Sequence, residues 1–161
     1  MSLEQDLRKL SQAPLLGELE AEARRILSFS GETRNLRTGE VLFQKGEPSD
    51  GGFVVFSGSV SLDPGSGAGG ELHVIYPYAL IGEIALISQT ERTFTARACE
   101  PTVVMKISRH LFHRVLKEFP QSAVRLRELI ATRLAEYSIY LEEARTTAFT
   151  VATLDEQGRD P

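Results

Sequence analysis

The chain holds 161 residues, 42% of them hydrophobic and 25% charged, which is the balance of one globular domain able to bury a core and not of a disordered or fibrous chain. Its 18 basic and 22 acidic residues leave a formal charge of −4, which argues against a dedicated nucleic-acid binder while leaving room for a local anion site. The only cysteine, Cys99, sits in an expected strand and excludes a disulfide framework; the mixed-charge start MSLEQDLRKL is no signal peptide, and no run approaches the roughly 20 apolar residues of a membrane span. The expectation is a cytoplasmic protein.

From Ser2 to Leu27 the apolar residues Leu3, Leu7, Leu10, then Leu16, Leu19, Ala23, Ile26 and Leu27 recur at three or four positions, broken at Pro14, and predict two short helices. After Gly31 the texture changes to short apolar runs punctuated by Gly39, Gly46, Gly58 and Pro101. Strands are expected near Thr33–Leu36, Val41–Gln44, Phe53–Ser57, Ser59–Asp63, Glu71–Tyr76, Thr93–Cys99 and Thr102–Ile107, a spacing that favours a closed or sandwiched β structure. The glycine-rich stretch 64–70 reads as a hairpin tip, because it lacks the Lys-Ser/Thr ending of a phosphate loop and no helix follows it.

Helical spacing returns at Ser108, a suitable N-cap, with a short helix to about Phe119 and a longer one opened by Pro120 and running to roughly Arg145. Its apolar positions Ala123, Leu126, Ile130, Leu134, Tyr137, Leu141 and Ala144 are spaced 3, 4, 4, 3, 4 and 3, a seam suited to pairing with a second copy. The organisation expected is N-terminal helices over 1–30, a β region over 31–107, C-terminal helices over 108–146 and a polar tail over 147–161.

The stretch Gly82-Glu-Ile-Ala-Leu-Ile-Ser-Gln-Thr-Glu-Arg92 carries chemistry: a glycine and an acid open a short helical turn, and an arginine follows within ten residues. Free amides at a helical N-terminus attract anions, and a guanidinium adds a charge-assisted fork for phosphate oxygens. Glycine permits close approach to the backbone, and Glu83 can accept hydrogen bonds from a ribose hydroxyl. These parts make a sugar-phosphate site. No nucleophile motif surrounds His73, His110 or His113, so no catalytic residue is expected, and no third ligand accompanies His110 and His113 at a metal spacing. Arg109, Arg114 and Lys117 read as a solvated helix face, as do Arg125, Arg127 and Arg133.

The run Gly82 to Ala98 resembles the phosphate-binding cassette of cyclic-nucleotide-binding domains, and the resemblance extends to Pro14-Leu-Leu, to Gly39-Glu-Val-Leu-Phe-Gln-Lys-Gly46 and to Phe53-Val-Val-Phe-Ser-Gly-Ser-Val60, together covering roughly residues 10 to 145. It implies a mainly β fold, an eight-stranded β-roll of jelly-roll type with N-terminal helices and a long C-terminal helix, and a cassette at 82–95. It also implies a ligand, cAMP or cGMP, and no other cofactor. Gly82 and the amides of Ile84 and Ala85 would meet phosphate and ribose, Glu83 the ribose 2′-hydroxyl, and Arg92 the cyclic phosphate. Thr93 falls where members responsive to cGMP often carry threonine. Arg92 is expected to have the ligand as its main partner. Phe94 departs from the family's usual small residue, and Ile75-Tyr-Pro-Tyr-Ala-Leu-Ile81 from its Gly-Asp-rich approach. The function expected is a sensor domain without an output element or DNA-binding domain of its own, acting through an effector protein or a homodimer. The rival is a protein-interaction module that kept the roll and lost the nucleotide.

Overall fold

The apolar spacing before Gly31 forms helices where the sequence places them. α1 spans Leu3–Gln12 and α2 spans Ala21–Ser30, with a 3-10 turn at Leu16–Glu18 between them. Leu10, Leu16, Ala23 and Leu27 are fully buried, so most of the stripe read from the sequence turns inward, while Leu3 at its start is exposed. The computed structural model describes residues 3–65, 72–133, 135 and 136.

Eight strands follow among the described residues: β1 Glu32–Leu36, β2 Val41–Phe43, β3 Gly51–Ser57, β4 Val60–Asp63, β5 His73–Ile75, β6 Leu80–Ile81, β7 Thr95–Ala98 and β8 Thr102–Ser108. They form two four-stranded sheets, ordered β1-β8-β3-β6 and β2-β7-β4-β5, with every pairing antiparallel. This is the eight-stranded roll that the family resemblance implied. The strand missing from the sequence reading is β6, two residues long, which pairs Leu80 with Val54 and Ile81 with Phe53. Two boundaries are corrected. β7 starts at Thr95, leaving Thr93 ahead of it, and Cys99 lies just beyond its end as an exposed free thiol.

The roll's interior holds Phe43, Phe53, Val55, Val60, Ile81, Ala96 and Val104, gathered from both sheets. β3 is buried along six consecutive residues, because alternate side chains serve two layers. Phe53 and Val55 enter the interior, while Phe56 lies on the helix side, where Lys9 of α1 sits 5.2 Å from its ring centroid. A continuous apolar run is thus a strand covered on both faces.

β8 ends at Ser108, whose hydroxyl accepts a hydrogen bond of 3.1 Å from the Leu111 amide and so caps α3, Arg109–Glu118. Leu111, Phe112 and Val115 form the buried face of α3, and the Ser122 hydroxyl accepts the Glu20 amide at 3.0 Å, tying the following turn to the start of α2. Residues 120–133 are helical, as Pro120 predicts. The chain divides into two compact units between Ala123 and Val124. The glycine-rich tip from residue 66 on, most of the extension of the last helix towards Arg145, the pairing seam beyond Ile130 and the polar tail lie outside the described residues. No described helix is long and apolar enough to cross a membrane.

Candidate functional site

The site is built on two backbone segments held side by side. The Gly46 amide donates to the Arg92 carbonyl and the Arg92 amide to the Glu47 carbonyl, each at 2.8 Å; the Ser49 amide donates to the Thr90 carbonyl at 2.7 Å. A Ser49–Thr90 hydroxyl contact of 3.0 Å strengthens the same ladder. It fixes the Cα of Arg92, and the side chain then runs inward.

Arg92 is 8% exposed. Its guanidinium carbon lies 4.3 Å from the ring centroid of Phe43 and 5.5 Å from that of Phe53, and its Nη2 donates to the Gly51 carbonyl at 2.7 Å. In the structure two aromatic faces and a carbonyl hold it. Among the described residues its other N–H groups have no hydrogen-bond partner, and no carboxylate comes within ion-pair distance. Burial pushes its pKa below the usual guanidinium value, against the opposing pull of Asp50 and Glu47.

Gly82 stands directly opposite. Its φ of +82° is a conformation that favours glycine, and a Cβ built there would lie 2.7 Å from Arg92 Nη1. The chain then enters the 3-10 turn Ile84–Leu86, where the Ala85 amide donates to Gly82 at 3.1 Å and the Leu86 amide to Glu83 at 3.3 Å. The expected helical turn is present, and the Ala85 amide is engaged within it. The Ile84 amide stands at the turn's start, where no intrahelical acceptor is available.

Gly82, Glu83, Ile84, Ala85, Arg92 and Thr93 all line one cavity of about 550 Å³. Thr93 is exposed and Glu83 half-buried. Phe43, Leu62, Ile75, Leu80, Ile81, Thr90, Glu91 and Phe94 complete the wall, and sequence reasoning assigned none of them to ligand contact. Apart from Thr90 and Glu91 these side chains are apolar and give the cavity a greasy wall, and its volume falls in the range of small-molecule sites.

Behind the turn lies a second guanidinium. Arg109 Nη1 donates to the carbonyls of Ser49 and Ala85, both at 3.1 Å, and of Ser88 at 3.2 Å; its Nη2 also reaches Ser49 at 3.2 Å, and its amide donates to Asp50 at 2.7 Å. Arg109 is thus no part of a solvated face, a further correction. The signal available was its place in the first turn of a helix, where a cation opposes the dipole and needs a tertiary reason to be there. His110, His113, Arg114 and Lys117 do lie exposed, and no His/Cys/Asp/Glu group suited to a metal occurs among the described residues. The Asp50 carboxylate accepts Lys106 Nζ at 2.7 Å, which holds its pKa below the ordinary carboxylate value.

A family model of the cyclic nucleotide-binding domain matches residues 33–119, more than half of the chain. The chain belongs to that family. The structure of a cyclic nucleotide-binding-like protein from Brucella abortus is similar at 34% identity and a TM-score of 0.61, over 70% of this chain and 97% of that one. The N-terminal domain of a transcriptional regulator from Streptomyces coelicolor matches at 28% identity and a TM-score of 0.75, over 83% and 94%. Among curated proteins, a lysophospholipase from Chaetomium globosum is 28% identical over 111 residues, 67% of this chain and 7% of that protein. The chain spans less than a tenth of the length of such relatives.

Proposed function

We propose that the cavity binds a cyclic nucleotide, cAMP or cGMP, and that the domain senses it without catalysing a reaction. One observation carries this reading: Arg92 is a buried cation with no ion-pair partner among the described residues, its free donors beside Gly82 and the start of the cassette turn. Burying a charge without a counter-charge is costly, and a phosphate between the guanidinium and the turn amides answers both at once. Arg92 and the amides at the start of the turn hold the cyclic phosphate. Glu83 accepts the ribose 2′-hydroxyl, Thr93 stands at the rim near the base, and the apolar wall with Phe43, Leu62 and Ile75 receives the uncharged part of the ligand. No cofactor besides the ligand enters this scheme. Output passes to an effector protein or a second copy of the chain, and the exposed thiol of Cys99 suits a cytoplasmic setting.

The test is titration of the chain with cAMP and with cGMP, followed by calorimetry and thermal unfolding. A ligand at 100 times its Kd stabilises a folded protein by about 2.7 kcal/mol, so binding is expected as a clear rise in Tm together with saturable heat. Neither signal at millimolar nucleotide overturns the reading in favour of a protein-interaction module, with Phe94 closing the cavity.

A further inference from the structure

Three consecutive carbonyls where the chain enters β3 are taken by two arginines. Ser49 is bonded by the Arg109 side chain, Asp50 by the Arg109 amide, and Gly51 by Arg92 Nη2. The same Arg109 guanidinium reaches across to Ala85 and Ser88, at the C-terminal end of the cassette turn. The last carbonyls of a helical turn lack intrahelical donors and carry partial negative charge, so a guanidinium fork there satisfies orphan acceptors and complements the local dipole. One side chain rooted at the start of α3 therefore fastens both walls behind the anion site: the loop that holds Arg92 and the turn that supplies the amides.

We propose that Arg109 is the positioning residue of the nucleotide site, holding the turn and the 49–51 loop in their binding arrangement before the ligand arrives. This rests on the reading above, that the cavity takes a cyclic nucleotide. Ligand binding is tighter when donors are fixed in advance, because less ordering has to accompany association. Without Arg109 the Ala85, Ser88 and Ser49 carbonyls turn to water, the turn samples other geometries, and the Ile84 amide is no longer held in one place.

The experiment compares the parent with Arg109→Met, which keeps the stem and removes the fork. Arg109→Lys, which keeps the charge but cannot bridge three carbonyls, guards against loss of the fold. Amide hydrogen exchange over residues 84–88 is measured without ligand, and cAMP and cGMP affinities by calorimetry, on whichever variants circular dichroism shows folded. Exchange over 84–88 is expected to rise about tenfold or more in Arg109→Met and less in Arg109→Lys, with exchange in β8 unchanged, and Kd to rise roughly tenfold. Unchanged exchange at 84–88, or a Kd within twofold of the parent, overturns the proposal. Failure of the parent to bind either nucleotide overturns the functional reading instead, and the exchange comparison still decides whether Arg109 holds the turn.

Discussion

The two ends of the cassette turn are each faced by an arginine, and the two arginines are used in opposite ways. Arg109 meets the carbonyl end, where its charge has the favourable sign, and donates to the carbonyls of Ser49, Ala85 and Ser88. Arg92 faces the amide end across Gly82, where positive meets positive, and among the described residues its guanidinium makes a single hydrogen bond, to Gly51. A helical turn between two cations is balanced at its C-terminal end and unbalanced at its N-terminal end until an anion enters. On the proposed reading the closed end gives rigidity and the open end gives affinity. That division of labour is what the variants below are designed to break.

The largest effect is expected from Arg92→Ala. Removing one partner of a desolvated charged contact commonly costs about 2–5 kcal/mol, so nucleotide binding should weaken on the order of 30-fold or more. The same substitution strips the rings of Phe43 and Phe53 of their partner and frees the Gly51 carbonyl, so urea unfolding of the empty domain should also show a loss of about 1–3 kcal/mol. Arg92→Lys should recover part of the stability and less of the binding, since an ammonium cannot supply a planar fork. A folded Arg92→Ala that binds like the parent places the phosphate elsewhere and removes the open end from the comparison.

Gly82→Ala tests the same end through the backbone. The added methyl meets Arg92 Nη1 and must adopt a φ of +82°, so stability should fall by about 1–2 kcal/mol and affinity by roughly tenfold. Wild-type affinity in this variant, measured by calorimetry, means that the guanidinium and the turn need not meet.

How much of this was legible in the sequence depended on how local each signal is. The strands around Val41, Phe53 and Thr102 announce themselves through apolar runs bounded by glycine and proline, whereas β6 is two residues long and owes its existence to pairing with β3. The cassette residues were legible because glycine, acid and arginine follow one another in a single run. The wall was not: Phe43, Leu62 and Ile75 come from β2, β4 and β5, and a large apolar side chain lining a cavity has the same sequence signature as one filling the core. Phe43 does both. Arg109 was hidden for the opposite reason, since its acceptors are backbone carbonyls, which no sequence pattern displays.

A smaller effect, confined to selectivity, is expected from Thr93→Ala. Thr93 is exposed at the cavity rim, so loss of its hydroxyl should weaken cGMP by about 0.5–1.5 kcal/mol, leave cAMP nearly unchanged, and leave unfolding untouched. Equal losses for both nucleotides in calorimetry assign the hydroxyl to the phosphate and not to the base, which would move Thr93 from the rim's selectivity to the open end's affinity.

The smallest effect concerns the loop that joins the two ends. Asp50 lies between Ser49 and Gly51, and its carboxylate accepts Lys106 Nζ at 2.7 Å. That hydrogen bond holds its pKa below the ordinary value of about 3.9, so the ion pair stabilises the fold above that value and its contribution disappears as pH falls through the folded pKa. The Asp50 side chain is 67% exposed, and solvent screening limits such a pair to roughly 0.5 kcal/mol near neutrality. Asp50→Asn should therefore be slightly less stable than the parent at pH 7 in urea, and the two curves should converge as pH falls below the ordinary carboxylate pKa and through the lowered pKa of Asp50. Nucleotide affinity should be almost unchanged, because the loop's grip on the site runs through the carbonyls of Ser49, Asp50 and Gly51, which the substitution leaves in place. A loss of affinity in Asp50→Asn as large as that in Arg109→Met would mean that the ion pair, not the carbonyl clamp, sets the loop. The two ends of the turn would then be coupled through a surface charge sensitive to salt and acid, and the rigidity of the closed end would have to be credited to Lys106.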